Sequence, residues 1–347
     1  MLLESFRPKS NLVTKSRQIL KPRFPVIDAH NHLGDDFGGG WIHRPVNELI
    51  DLLDQASVKM YVDLDGGWGE AILKEHIELF KNSYPERFKV FGGINWEMWK
   101  TLGDEFPEWA ASRLKIQQNN GADGLKIWKN FGLRVYDHKG QLVRVDDTRL
   151  DQIWRTAGEL NLPIMIHVAD PVAFFQPLDE TNERWEELNT HSDWQFSSPA
   201  FPSFSVIIEG FAQLVKRHPQ TIFIGAHVGC YAENLSWVAD LIDHCPNFYV
   251  DISARIGELG RQPYTARQFL IEHSNRILFG SDFGPDLDAY RLAYRFLETD
   301  DEYFNYNVGD IPQQGRWFVY GLSLPEDVLQ KIYHINAEKL FLNEHTY

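Results

Sequence analysis

From residue 24 onward the chain alternates between two hydrophobic rhythms. One is a short run rich in β-branched and aromatic residues: FPVIDAH (24–30), VKMYVDLD (58–65), FKVFGGINW (88–96), ADGLKIW (122–128), LPIMIHV (162–168), TIFIGAHV (221–228), NFYVDISA (247–254) and RILFGSDF (276–283). The other has helical spacing. VNELIDLLDQA puts Val46, Leu49, Ile50 and Leu53 on one face, and LDQIWRTAGEL does so with Leu150, Ile153, Trp154 and Ala157, behind Asp146 and Asp147 as N-cap candidates. FAQLVKRHP and NLSWVADLIDHCP stop at a proline before the next strand. Eight strands, each followed by a helical stretch, predict an α/β protein of the (β/α)8 TIM-barrel class. Several strands are apolar on both faces, as parallel strands covered by helices must be. An open doubly wound sheet would carry a glycine-rich nucleotide loop after its first strand, and FGGGW (37–41) lacks that spacing.

Three segments depart from the rhythm. Residues 1–23 read as an N-terminal arm, either solvated or used between subunits, ahead of a single barrel domain over 24–347. After the fifth strand, residues 170–204 form a connection too long for a compact barrel, and its aromatic content predicts a packed lid over the mouth. Residues 300–321 are a second excursion, expected to close the barrel edge or contact another subunit. The tail LPEDVLQKIYHINAEKLF (324–341) is an amphipathic helix expected on the outside of the barrel.

Composition narrows the function classes. A net charge of −15 argues against a nucleic-acid footprint. Two cysteines, Cys230 and Cys245, make neither a disulfide framework nor a thiolate metal site, and read as reduced and buried. No run reaches the length of a membrane span and the N-terminus lacks an apolar signal segment, so the default address is cytoplasmic. The expected partner is a small-molecule substrate, and the arm and aromatic extensions leave room for a homo-oligomer.

The chemistry gathers at strand ends, where active sites of this fold sit. Strand one ends in His30-Asn31-His32, and residues two apart on a strand point the same way. Strand four carries Lys126, strand five His167, strand six His227 and strand eight Asp282. Any one strand-end histidine is an ordinary polar residue, and His76, His244, His273 and His334, within helical stretches, keep that reading. Imidazoles and a carboxylate at matching ends of one barrel are instead what a divalent transition metal requires. Zinc suits the set best, with manganese, iron and cobalt also compatible.

The segments IDAHNHLG, IMIHVAD, FIGAHVG and LFGSDFGP, with the closing helix, resemble the amidohydrolase superfamily of metal-dependent hydrolases. Within it the match is to the amidohydrolase-2, or aminocarboxymuconate-semialdehyde decarboxylase-like, branch. The resemblance runs from about residue 24 to the C-terminal helix. It implies one metal held by His30, His32, His167 and Asp282, with His227 near the metal-bound water or substrate. In binuclear relatives Lys126 would be carbamylated, and it and His227 would serve a second metal.

Two reactions follow from the resemblance. In hydrolysis, metal-activated water attacks a lactone, ester or amide carbonyl, with Asp282 moving the proton and His227 steadying the oxyanion. This is the first expectation. The alternative is non-oxidative decarboxylation of a small carboxylate, which needs a cationic partner. Arg255 is the first candidate, against a rim salt bridge to Asp251 or Glu258. Lys126 is the second and Arg184 of the lid the third. Trp96 and Trp128 are candidate walls for a ring, and Asp170 a candidate orienter of His167 or ligand of substrate hydroxyls. A barrel that has lost its chemistry, or that works without metal, is the remaining reading.

Overall fold

Each of the eight apolar runs forms a parallel strand in the structure, a computed structural model that describes residues 9–306 and 314–342. They are β1 (Val26–Asn31), β2 (Val58–Asp63), β3 (Phe88–Gly92), β4 (Gly124–Ile127), β5 (Ile164–Ile166), β6 (Phe223–Gly225), β7 (Phe248–Asp251) and β8 (Ile277–Leu278). They pair in sequence order. The sheet then curls until the Ala29 amide of β1 donates to the Phe279 carbonyl just past β8, at 3.0 Å. Around it lie α1 (Val46–Ala56), α2 (Glu70–His76), α3 (Phe106–Asn119), α4 (Asp151–Glu159), α5 (Phe204–Arg217), α6 (Leu235–His244), α7 (Pro263–Glu272) and α8 (Leu287–Glu298). This is the (β/α)8 barrel that the rhythms predict. Asp147, one of the two cap candidates, accepts the Arg149 amide at the turn leading into α4.

Apolar side chains fill both sides of the strands. Ile27, Ala29, Met60, Val62, Met165 and Ile224 pack inside the barrel, and a larger shell joins the strands to the helices. The pairing of β1 with β2 slips between Asp28 and Asn31. Three steps of β1 match two of β2 there, so a bulge re-phases the alternation just before the mouth. Asn31 turns to Asp28 and Ser281, while His30 reaches the barrel axis.

The lid segment is packed, as its aromatics predict. It holds the short helix Trp185–Thr190 and buries Phe174, Leu188 and Phe196. It ends where the Ser203 side chain caps α5 by accepting the Val206 amide. Past α8, Phe304 and Val319 bridge antiparallel. The Tyr320 amide reaches Gly260 and that of Leu322 reaches Phe296, so the described part of this strap, residues 307–313 lying outside it, closes against the barrel's own helices. Of the arm, residues 9–23 carry no helix or strand. They are pinned to the end of α8 and the segment after it, by Lys15 on Asp300 at 2.7 Å and by the Arg23 amide on Glu298 at 3.0 Å. Residues 1–8 lie outside the described residues. Both cysteines are buried and unpaired. No helix among the described residues is long and apolar enough to cross a membrane.

The tail needs a correction. Its first turns, with Val328 and Leu329, pack on the outer shell as expected, but its end does not. A wider π-type turn at Lys331–Ile335 intervenes, and Ala337, Leu340 and Phe341 enter the inner cluster at the barrel's base. Phe341 meets Phe91 edge-on at 5.9 Å. Apolar side chains at the strand starts would otherwise face water, so burying them holds the tail there. Asn336 fixes it by donating to Ser274 and Ile277 carbonyls, and the Ile332 carbonyl accepts the Phe279 amide at 2.9 Å.

Candidate active site

The strand ends open into a cavity of about 770 Å³, within the range of small-molecule sites. Its floor is polar. Asp282 sits just past β8 in the left-handed region (φ 55°), and its amide donates to the His30 carbonyl at 2.9 Å. That strained turn aims the carboxylate across the barrel. Oδ1 lies 3.5 Å from His30 Nε2 and 3.2 Å from His32 Nε2, and Oδ2 lies 3.6 Å from His227 Nε2. His227 too is left-handed (φ 57°), in a turn through Gly229 that directly follows β6.

The far nitrogens of these rings are held by the protein. His30 Nδ1 lies 2.9 Å from Asp251 Oδ2, and His32 Nδ1 lies 2.7 Å from Asp65 Oδ1. His227 Nδ1 lies 3.0 Å from the Ser253 carbonyl, which can only accept, so the proton is on Nδ1. Carboxylate or carbonyl behind each ring leaves the Nε2 lone pair facing Asp282, the arrangement that metal-binding histidines adopt. His30, His32 and Asp282 offer ligand atoms within 4.8 Å of one another. His167 is outside that trio. Its ring lies 4.4 Å from that of His227, edge to face, and its Nε2 is 3.3 Å from Asp170 Oδ1. The floor thus fits a divalent cation by donor type, with His167 at its margin.

Burial sets the charges. It pushes the His167 imidazole down to about 4 and that of His227 well below its usual value, so both rings are neutral at pH 7. Burial, with the Lys126 charge, lowers His30 as well. At His32 burial is outweighed by bonds to Asp282 and Asp65, which raise it to about 9. A metal arriving there displaces a proton. Asp282 is held an anion against its burial, chiefly by His30, His227 and His32. Lys126 Nζ lies 3.1 Å from His30 Nε2, and burial lowers it to about 8.

The remaining candidates divide. Trp128 walls the cavity, stacked on His32 at 5.3 Å and on Trp68 at 3.9 Å. Asp170 lies beside His167 and is bound by Lys129 at 2.6 Å. Arg255 lines the cavity and is 6% exposed. Its Nη1 donates to the Ala254 carbonyl at 2.9 Å, and no carboxylate among the described residues lies within ion-pair distance of it. Neither expected salt bridge forms. Glu258 instead pairs with Arg184 of the lid, which also holds Glu187. Trp96 is corrected: it is no part of the cavity wall, because it stacks on Phe131 at 4.9 Å and packs against the outer core. Unforeseen are Asp65, Asp251 and Ser253 behind the imidazoles, and Trp68, Phe174 and Trp194 in the walls. Asp65 and Asp251 do close or follow strand-like runs, a signal that single aspartates rarely make readable.

Comparison with known proteins agrees with this geometry. Residues 98–342 match the family model Amidohydro_2, Amidohydrolase. No curated protein sequence matches the chain. In fold it is similar to 2,6-dihydroxybenzoate decarboxylase from Rhizobium, at 16% identity and a TM-score of 0.56, over 92% of this chain and 98% of that one. It is similar to dihydroxybenzoic acid decarboxylase from Polaromonas sp. JS666, solved with manganese and 2-nitroresorcinol (15%, TM-score 0.55, 92% and 97%). A candidate amidohydrolase from Staphylococcus aureus gives 17%, a TM-score of 0.54, and 92% and 99%. Identities this low speak to fold alone. The family match covers well over half of the sequence and includes the strand ends that carry His167, His227 and Asp282, so the chain belongs to the amidohydrolase-2 family.

Proposed function

We propose that the protein is a metal-dependent, non-oxidative decarboxylase of a small hydroxylated aromatic carboxylate. The observation that carries this reading is Arg255, a buried guanidinium on the cavity wall with no carboxylate paired to it. Its charge is felt by Glu187, Glu233 and Glu258, but it is ion-paired with none of them, and its unspent N–H donors can grip an anion from outside. Hydrolysis of a neutral lactone, ester or amide makes no use of such a grip. The stacked Trp68 and Trp128 offer a flat wall to a ring, and the fold neighbours named as decarboxylases act on dihydroxybenzoates.

His30, His32, His167 and Asp282 would hold one divalent metal, zinc or manganese. When bound, it supplies Lewis acidity toward the substrate's oxygens. Arg255 pairs with the carboxylate and orients it. The indole wall excludes water from the ring face. Asp282 keeps Oδ1 toward His30 and His32 and Oδ2 toward His227. As an anion it first takes up a proton, then passes it to the ring carbon that bears the carboxylate. The bond from that carbon to the carboxyl carbon breaks and leaves its electron pair on the ring, CO₂ departs, and one proton is consumed per turnover. His227, neutral and fixed by Ser253, stands beside that proton path.

The test is a panel of hydroxybenzoates, lactones, esters and amides offered to protein loaded with zinc or manganese. CO₂ release with proton uptake on a hydroxybenzoate is expected. Proton release from an ester or lactone, or amine release from an amide, without CO₂ would return the reading to hydrolysis.

A further inference from the structure

We propose that His76 is a positioning residue for the metal centre, acting through Asp63 and Asp65 on His32. The proposal rests on the metal-centre reading above. His76 closes α2, two layers from the cavity, and in sequence it looks like any helix histidine. The structure buries it to 1% exposure against two carboxylates. Its Nδ1 lies 2.5 Å from Asp63 Oδ2, and the ligand atoms of His76, Asp63 and Asp65 lie within 4.8 Å of one another.

From there the connections run to the site without a gap. Asp63 Oδ1 accepts the Asp65 amide at 3.1 Å, fixing the backbone that carries Asp65. Asp65 Oδ2 accepts the Leu33 and Gly34 amides at 2.9 and 2.7 Å, and its Oδ1 faces His32 Nδ1 at 2.7 Å. Asp65 therefore grips both the His32 ring and the loop that follows it. The charges give the reason for His76. Asp63 and Asp65 are two buried carboxylates side by side, which is costly unless a cation stands with them. His32 cannot supply that cation, because a histidine on a metal is neutral. His76 stands where it can, and its bonds do not involve the metal. With Asp63 neutralised this way, Asp65 keeps the charge that orients His32 and strengthens it as a ligand.

The test measures metal affinity and ligand field rather than turnover. Metal-free wild-type protein, His76→Phe and His76→Asn are titrated with Zn²⁺ against a chromophoric chelator, and their Co²⁺ absorption bands are recorded. Phe keeps the ring volume beside Phe80 but makes no bond, and we expect about tenfold weaker Zn²⁺ binding with a shifted Co²⁺ band. Asn places an amide nitrogen where Nδ1 stands but carries no charge, so it should recover only part of the affinity and stay several-fold weaker than wild type. Should His76→Phe not fold, His76→Leu and the folded His76→Asn decide, with Zn²⁺ binding expected to be several-fold weaker in either. Folded variants that bind Zn²⁺ within twofold of wild type overturn the proposal, even if they melt earlier. Wild-type protein that takes up no stoichiometric metal sinks the metal-centre reading itself, and this role with it.

Discussion

Replacing Arg255 by Met removes the guanidinium while keeping most of the apolar stem. In the structure the group spends one N–H on the Ala254 carbonyl, which leaves donors enough for a two-pronged grip on a carboxylate. Charge-assisted bonds of that kind contribute roughly 1.5–3 kcal/mol each. Part of that gain is already spent in solvating the free carboxylate, so we take about 3–4 kcal/mol for the pair, a loss of order 10²–10³ in kcat/KM. The surroundings push the same way. Glu187, Glu233 and Glu258 all feel the Arg255 charge, and without it they repel an incoming anion. The assay is CO₂ release across a range of hydroxybenzoate concentrations for wild type, Arg255→Met and Arg255→Lys. Lys keeps the charge without the planar fork and should recover only part of the loss. A folded Arg255→Met enzyme within threefold of wild type would refute the reasoning. So would an equal loss of affinity for a neutral hydroxybenzamide, which has no carboxylate to grip.

Three other outcomes are expected. Dialysis against a strong chelator should abolish turnover and lower the thermal midpoint by several degrees, with both restored by Zn²⁺ or Mn²⁺; full activity in protein shown to be metal-free contradicts the ligand assignment. Lys126 is lowered from 10.5 to about 8 by burial, so the folded chain sheds this proton more readily than the unfolded one. Its stability contribution is present above pH 10.5 and is lost as pH falls through 8. Lys126→Met in metal-free protein should therefore gain about 3 kcal/mol in urea unfolding at pH 7, with the gain fading toward pH 10.5; a gain that does not depend on pH rules this out. Gly93→Ala puts a Cβ 2.2 Å from the Gly67 carbonyl oxygen. Backbone cannot yield as a side-chain tip does, so we expect a loss of about 3 kcal/mol in thermal or urea unfolding, with Trp68 displaced from Trp128; an unchanged midpoint would show that the two loops part freely.

The barrel was legible because each strand is an uninterrupted apolar run and each helix a 3.6-residue stripe, two signals that do not depend on distant contacts. His30 and His32 were legible for a related reason, since both rings still face Asp282 although the bulge between Asp28 and Asn31 takes in His30. Trp96 was not, because a tryptophan after a strand packs outward or inward according to its neighbours, and Phe131 lies far along the chain. The tail misled in the same way. Its stripe reads as one face of a surface helix, yet the turn at Lys331–Ile335 carries the later part of that face under the strands. Asp65 and Asp251 stayed hidden because their meaning lies in what they touch. An aspartate after a strand is commonplace until an imidazole is found 2.7 or 2.9 Å away.

That buried tail also bears on the order of events during synthesis. The seam between the first and last strands carries His30 on one side and Asp282 on the other, and Phe279 beside it is tied to Ile332. Residues 332–341 leave the ribosome after every donor of the site has been made. A nascent chain thus owns all its imidazoles before it owns the stopper that seats them.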